Sequence, residues 1–284
     1  MTRLRLGTRG SALARAQSRR VAEILERLHP GLGIETVVIE TSGDKGISAP
    51  DVKTAFVKEL EEALLRGDID IAVHSAKDLP EESPEGLRIL AYPEREDPRD
   101  AFVGTEACRT FAELPRGGVV GTGSPRRKAQ LLRARPDLRV APVRGNVDTR
   151  LRKLRAGGFD GLVLAAAGLK RLGLELPSDP LPVDVMVPAP GQGALAVQGR
   201  DRRDDLRSLL SPLDIPAVRL EVELERRLAA ALGGGCSTPL GALARCEGEA
   251  VRLTVFFSGL LTDRSGRSPR ELDALVERLR KRLT

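Results

Sequence analysis

Tryptophan is absent from this 284-residue chain, tyrosine occurs once and phenylalanine six times. Proteins that hold single-stranded nucleic acid usually stack bases on aromatic rings, so the shortage argues against that class. Histidine occurs twice and cysteine three times (Cys108, Cys236 and Cys246), in no spacing that would hold zinc. No metal site is therefore expected, and the odd cysteine count argues against a disulfide framework. No apolar run is long enough to span a bilayer, and no apolar export segment heads the chain. A reduced, cytoplasmic protein without membrane contact is expected. Lysine is scarce too. Only eight of the 46 basic residues are lysine, which leaves 38 arginines. Arginine is the side chain that grips carboxylate or phosphate with two parallel hydrogen bonds, although such a bias also follows from a GC-rich or thermophilic source.

What charge there is lies unevenly. The stretch Arg126 to Arg155 holds eleven Lys/Arg against Asp137 and Asp148, a net of +9, while the whole chain is only +6. Such a segment usually marks an anionic partner. It contains no aromatic residue, and no helix-turn-helix, finger or zipper pattern accompanies it, so a small polyanion fits better than nucleic acid.

The chain reads as α/β. Leu4 to Gly7 is a short strand, and Thr8-Arg9-Gly10-Ser11 turns into a helix with Val21, Ile24, Leu25 and Leu28 at helical spacing. Arg9 and Ser11 sit where backbone N–H groups and the helix dipole favour an anion, and capping explains Ser11 equally well. His29 is expected at the surface, at the helix end. A strand over Ile34 to Glu40, a loop over Thr41 to Val52 and a helix over Lys53 to Arg66 follow. A strand over Ile69 to Val73 then delivers His74, Ser75, Lys77 and Asp78 before Pro80. Residues just past the carboxyl end of a strand sit where ligands bind in α/β proteins. Asp78 is either a salt-bridge partner, to Lys77 for instance, or a carboxylate facing a cation.

Tyr92 to Asp100 is polar and proline-punctuated, so it is expected to cross between domains. A second α/β unit is expected from Val119. There Ser124 caps a helix with Pro125 at its first position and Arg126 and Arg127 in its first turn, where the dipole disfavours cations. Arginines placed against that preference point to a ligand's carboxylates. Arg144 and Arg171 follow strands, and Arg150 lies early in a helix. Gly191-Gln192-Gly193-Ala194 reads as the return crossing, followed by a strand over Ala194 to Gln198. A helix over Ile215 to Leu232, an alternating strand over Val251 to Phe257 and a last helix make a small α+β domain. The expected domains are 1–94 with 191–211, 95–190, and 212–284.

Cys108 and Cys246 are expected to be buried small hydrophobes. Cys236 stands apart, with three glycines before it and Pro239 after it. Neither His29 nor His74 is placed to activate it, so a hydrolase nucleophile is disfavoured and a covalent tether remains. At this point the order of motifs resembles the porphobilinogen deaminase (hydroxymethylbilane synthase) family along essentially the whole chain. The matching stretches include Thr8-Arg9-Gly10-Ser11, Phe56-Val57-Lys58-Glu59-Leu60, Val73-His74-Ser75-Ala76-Lys77-Asp78 and Arg95-Glu96-Asp97-Pro98-Arg99-Asp100-Ala101-Phe102. They continue through Gly121-Thr122-Gly123-Ser124-Pro125-Arg126-Arg127, Arg144-Gly145-Asn146-Val147, Ala167-Gly168-Leu169-Lys170-Arg171-Leu172, Gly191-Gln192-Gly193-Ala194 and Gly234-Gly235-Cys236.

The resemblance implies two domains similar to the type II periplasmic-binding-protein fold and a third that carries the cofactor cysteine. It implies a dipyrromethane cofactor in thioether linkage to Cys236. It also implies a transferase that joins four porphobilinogens, with loss of ammonia, into a linear tetrapyrrole, acting as a monomer. Loss of ammonia leaves a cationic azafulvene, which a fixed carboxylate stabilises as charge develops. Asp78 matches that role and is the expected catalytic residue. Cofactor contacts are expected from Lys77, Asp78, Thr122, Ser124, Arg126, Arg127 and Arg144. Substrate contacts are expected from Arg9, Ser11, Lys53, Arg144, Arg150, Arg171 and Gln192, with Gln192 as hinge or substrate contact. One departure stands out: Asp51-Val52-Lys53-Thr54 replaces the glycine-rich run that many members have, and the loop before it is short. The rival reading is a non-catalytic two-lobed receptor for a small polycarboxylate, which gives Asp78 and Cys236 no role.

Overall fold

The computed structural model describes residues 3–41, 54–233, 238–266 and 269–283. Contacts divide the chain into one unit of Met1–Glu96 with Ala194–Val222 and a second of Asp97–Gly193 with Glu223–Thr284.

In the first unit, Leu4 and Leu6 point inward from β1 (Arg3–Arg9), and Ser11 starts α1 (Ala12–Leu28) by accepting a hydrogen bond from the Ala14 amide at 3.3 Å. Val21 and Leu25 are the buried stripe of α1, at the spacing that defines an amphipathic helix. His29 ends that helix half-buried, its Nε2 2.8 Å from the Leu209 carbonyl oxygen, so it is anchored rather than merely exposed. Next come β2 (Gly33–Ile39), α2 (Thr54–Arg66), β3 (Ile71–Ser75), a single 3-10 turn over Ala76–Asp78, and β4 (Leu87–Ala91). The strand before Asp78 therefore runs two residues later than its apolar letters suggest and takes in His74 and Ser75.

The second unit begins earlier than Val119. Its first strand is β5 (Asp100–Gly104), followed by β6 (Val119–Gly121), α3 (Pro125–Ala134), β7 (Arg139–Ala141), α4 (Val147–Arg155), β8 (Gly161–Ala165), α5 (Ala166–Arg171) and β9 (Ser178–Pro180). Arg171 thus closes a short helix instead of following a strand directly. The chain then returns through β10 (Leu195–Arg200) and α6 (Asp204–Leu210) to α7 (Pro216–Ala231). The remainder is an antiparallel sheet of β11 (Gly241–Glu247), β12 (Ala250–Phe257) and β13 (Leu260–Gly266), and α8 (Pro269–Leu283).

The two larger sheets share one plan. Their orders are β2-β1-β3-β10-β4 and β7-β6-β8-β5-β9. In each, three parallel strands in order 2-1-3 are followed by one antiparallel strand that enters straight from a crossing. This is the duplicated α/β lobe of the type II binding-protein-like fold class, with a small α+β sheet after it. Helices cover the sheets: Leu4, Leu6, Ile71, Val73 and Val197 pack with Val21 and Leu25, while Leu60, Ala63 and Leu64 pack with Ile69 and Ala72. In the second unit Phe102, Val120, Leu131 and Val163 form one face, and Val143, Leu151, Leu154, Leu162 and Leu164 the other.

The register decides where polar side chains gather. Antiparallel β5 pairs Asp100 with Ala165, the last residue of β8, so β5 begins at the edge where β6, β7 and β8 end. Likewise β10 pairs Leu195 with Ser75, so the return crossing arrives where β3 ends. Both crossings therefore meet the carboxyl edges of the parallel strands, the edge that binds ligands in such sheets. Gly191 and Gly193 take φ of +73° and +85°, which non-glycine residues rarely adopt, and this lets the return crossing turn in a few residues.

Candidate functional site

At the carboxyl edge of the first unit, β1 ends at Arg9 and β3 leads into Asp78. Asp78 is half-buried, and among the described residues no hydrogen bond or ion pair holds its carboxylate. The Lys77 salt bridge is thus not made. Desolvating a carboxylate without a partner is costly unless a cation is supplied from elsewhere. The strand leading to it is itself fixed: Gln17 donates to the Ser75 hydroxyl at 2.8 Å, and the Ala76 amide donates to the Ala194 carbonyl at 3.0 Å. Ser11 is committed as the cap of α1, while Arg9 is half-buried at the end of β1.

Under this edge lies His74, buried. Burial pushes its pKa down to about 4, Arg9 adds to the fall, and the neighbouring Gln198 opposes it. Its Nε2 and the Gln198 Oε1 both lack a hydrogen-bond partner among the described residues. Gln198 instead donates to Glu61 at 2.9 Å, and burial raises the Glu61 pKa. At the opposite end of the strands, Asp70 is a structural acid. It receives the Arg5 amide at 2.9 Å and the Arg5 guanidinium at 3.1 and 3.2 Å, and these outweigh its burial to keep it ionised.

The second unit's carboxyl edge is cationic. Thr122 accepts from the Ser124 amide at 3.1 Å and Ser124 from the Arg127 amide at 3.4 Å, so both shape the entrance to α3. Arg126 and Arg127 are only 5 % and 6 % exposed and share one fully buried carboxylate, Asp100. Arg126 reaches Asp100 at 2.7 Å and the Val187 carbonyl at 2.5 Å. Arg127 reaches Asp100 at 2.7 and 2.9 Å and the Val163 carbonyl at 2.9 Å. Burial alone would raise the Asp100 carboxyl, but the charges of Arg126 and Arg127 win and hold it well below the usual carboxylate range. Burial lowers Arg126, with Asp100 opposing. Arg150 is half-buried, donates to the Gly145 carbonyl at 2.8 Å, and is lowered first by burial and then by the charge of Arg127.

Arg144 is exposed, and its guanidinium has no partner among the described residues. Arg171 is half-buried and donates to the Gly193 carbonyl at 2.6 Å. Gln192 is 1 % exposed. Its amide donates to the Pro98 carbonyl at 2.8 Å and to Asp100 at 3.0 Å, tying the two crossings to each other. Lys53 and Cys236 lie outside the described residues. Of the other cysteines, Cys108 is buried and Cys246 half-exposed, so the second is not the core residue its letter suggested.

Asp100 is the residue that a reading of the letters passes over, because it closes a polar, proline-rich run. The available signal is an acid heading the apolar Ala101-Phe102-Val103 in a chain full of arginine. Two guanidiniums around one internal carboxylate leave a surplus of positive charge, and such a donor set fits a ligand bearing carboxylates. Among the described residues no group of His, Cys, Asp and Glu could hold a metal ion, and no helix is long and apolar enough to cross a membrane.

Fold and site together describe an α/β protein built from two similar lobes, the second of which gathers arginines at the carboxyl edge of its sheet. Comparison with known proteins makes that specific. Residues 4–208 match the porphobilinogen deaminase dipyromethane cofactor binding domain, and residues 219–274 match the porphobilinogen deaminase C-terminal domain. The porphobilinogen deaminase of Acidothermus cellulolyticus is 51 % identical over 88 % of this chain and 77 % of its own length. That of Thermus thermophilus is 50 % identical over 93 % and 86 %, and that of Syntrophus aciditrophicus 47 % over 88 % and 83 %. The chain belongs to the porphobilinogen deaminase family, the hydroxymethylbilane synthases, transferases of tetrapyrrole biosynthesis that work on a dipyrromethane cofactor.

Proposed function

We propose that Asp78 is the catalytic carboxylate of this transferase, that Cys236 carries the cofactor as a thioether, and that the arginines of the second unit hold pyrrole carboxylates. The carrying observation is Asp78 itself, half-buried past the end of β3 with no partner among the described residues. Loss of ammonia from an aminomethylpyrrole and attack by the next pyrrole both put positive charge on a ring. A carboxylate about 4 Å from such a charge contributes on the order of 4 kcal/mol at an effective dielectric of about 20. The same oxygens are suited to accept and return a pyrrole proton. The cofactor, when bound, supplies the primer ring to which the first substrate adds.

Arg126, Arg127, Arg144, Arg150 and Arg171, with Thr122, Ser124 and Lys77 assisting, are the residues suited to its acid side arms and to those of the substrate. Arg9, Ser11 and Lys53 extend the set, and Gln192 acts through the crossings because its side chain is buried. The strand pairings at the two crossings support a division into domains of 1–94 with 191–211, 95–190 and 212–284. A monomer in the cytoplasm completes the reading. The test is intact-protein mass. Wild type is expected to carry an adduct equal to two porphobilinogens less two ammonias, absent from Cys236→Ser; an unmodified, active wild type would overturn the tether.

A further inference from the structure

We propose that Asp100 is a positioning residue that trims the charge of the Arg126–Arg127 pair to +1 and couples its aim to the crossing segments. The inference rests on the reading above, in which those arginines face ligand carboxylates. Neighbouring arginines in the first turn of a helix repel each other and the dipole, and here both are almost completely buried. Asp100 resolves this by offering one oxygen to each. Oδ2 accepts from Nη1 of Arg126, and Oδ1 accepts from Nε and Nη2 of Arg127. Backbone carbonyls of Val187 and Val163 hold the forks from behind. That leaves Nε and Nη2 of Arg126 without a partner among the described residues, available to an incoming anion. Arg150 adds a further positive charge close enough to Arg127 for the two guanidiniums to repel.

The same Oδ1 also accepts from Gln192, whose amide simultaneously holds the Pro98 carbonyl. Oδ1 is therefore shared by the Arg127 fork and by Gln192, which links the outgoing and return crossings, while Oδ2 of the same carboxylate holds Arg126, the guanidinium with donors to spare. Any shift of Gln192 is felt at the arginine pair through a single hydrogen bond.

The experiment compares wild type, Asp100→Asn and Gln192→Met as purified holoenzymes, with rates expressed per mole of cofactor adduct. The readouts are kcat, KM for porphobilinogen, inhibition by citrate at low and high salt, and melting temperature. Asp100→Asn raises the pair's charge to +2. It is expected to bind citrate several-fold more tightly at low salt while kcat falls at least ten-fold, because the forks keep their charge and lose their aim. Gln192→Met leaves the charge alone, so kcat falls with citrate inhibition unchanged. A purely structural role would lower the melting temperature and the yield of loaded enzyme and leave kcat, KM and citrate inhibition per adduct within two-fold. That result in Asp100→Asn overturns the proposal, and if that variant does not fold, unchanged kcat in Gln192→Met does so. An adduct-bearing wild type that citrate does not inhibit competitively overturns instead the assignment of the arginines to carboxylates.

Discussion

Replacing His74 by glutamine removes a titrating ring from the strand that leads to Asp78 and keeps a polar side chain of similar reach. His74 is 5 % exposed, and burial holds its pKa at about 4 against an ordinary 6.5. Above pH 6.5 the ring is neutral in both the folded and the unfolded chain and its titration costs nothing. As pH falls below 6.5 the unfolded chain takes up a proton that the folded chain refuses, so stability drops until the folded ring itself titrates near pH 4. The gap corresponds to about 3.4 kcal/mol at the limit, and linkage puts about 2 kcal/mol of it at pH 5. Glu61, raised by burial, contributes with the opposite sign, but equally to both proteins.

Urea unfolding followed by far-ultraviolet circular dichroism suits a chain without tryptophan. Measured at pH 7.5 and pH 5 in constant salt, the stability of wild type relative to His74→Gln should shift by about 2 kcal/mol in the variant's favour at the lower pH. A difference that stays constant within about 0.5 kcal/mol would refute the idea that the fold holds His74 neutral.

Asp78→Asn should fold with an unchanged melting temperature and turn over roughly 100- to 1000-fold more slowly in a steady-state assay; near-normal kcat removes Asp78 from the chemistry. Glu225, fully buried on α7, accepts the amides of Gly191 at 2.6 Å and Ala244 at 2.8 Å, and Glu225→Gln turns one acceptor into a donor facing a donor. A loss of about 2 kcal/mol in urea unfolding is expected, and a loss under about 0.5 kcal/mol contradicts the geometry. Gly161→Ala would place a methyl 2.2 Å from the ring of Phe102, which is itself fully buried, so a stability loss of about 3 kcal/mol and a melting point lower by several degrees are expected. An unchanged melting point would show that the ring moves aside freely.

Much of the α/β framework is legible in the letters, because helix starts and turns carry local chemistry. Ser11, Ser124 and Asn146 each cap a helix where the spacing of serine, proline and apolar residues says one begins. Strands without such punctuation are harder to see. Neither β4, β5, β11 nor β13 stands out, because short apolar runs between polar loops lack a distinctive period, and their pairing is set by partners far away in sequence. The site divides in the same way. Asp78 is visible because a strand points to it and Pro80 stops the chain beyond it. The environment of Arg126 and Arg127 is not, since their partner Asp100 lies 26 and 27 residues earlier and joins them only through the reversed direction of β5. Gln192 likewise reads as an open crossing residue, while the fold buries it against Pro98 and Asp100.

The placement of β10 has a consequence for how the polypeptide is made. It lies between β3 and β4, so a nascent chain must extend past Arg200 before the first sheet has its inner strand. Until then β3 offers a bare hydrogen-bonding edge beside Asp78, the kind of surface that recruits stray strands. Fragments cut at 193 are therefore expected to be sticky and poorly folded, while co-expression with the missing return segment should rescue them.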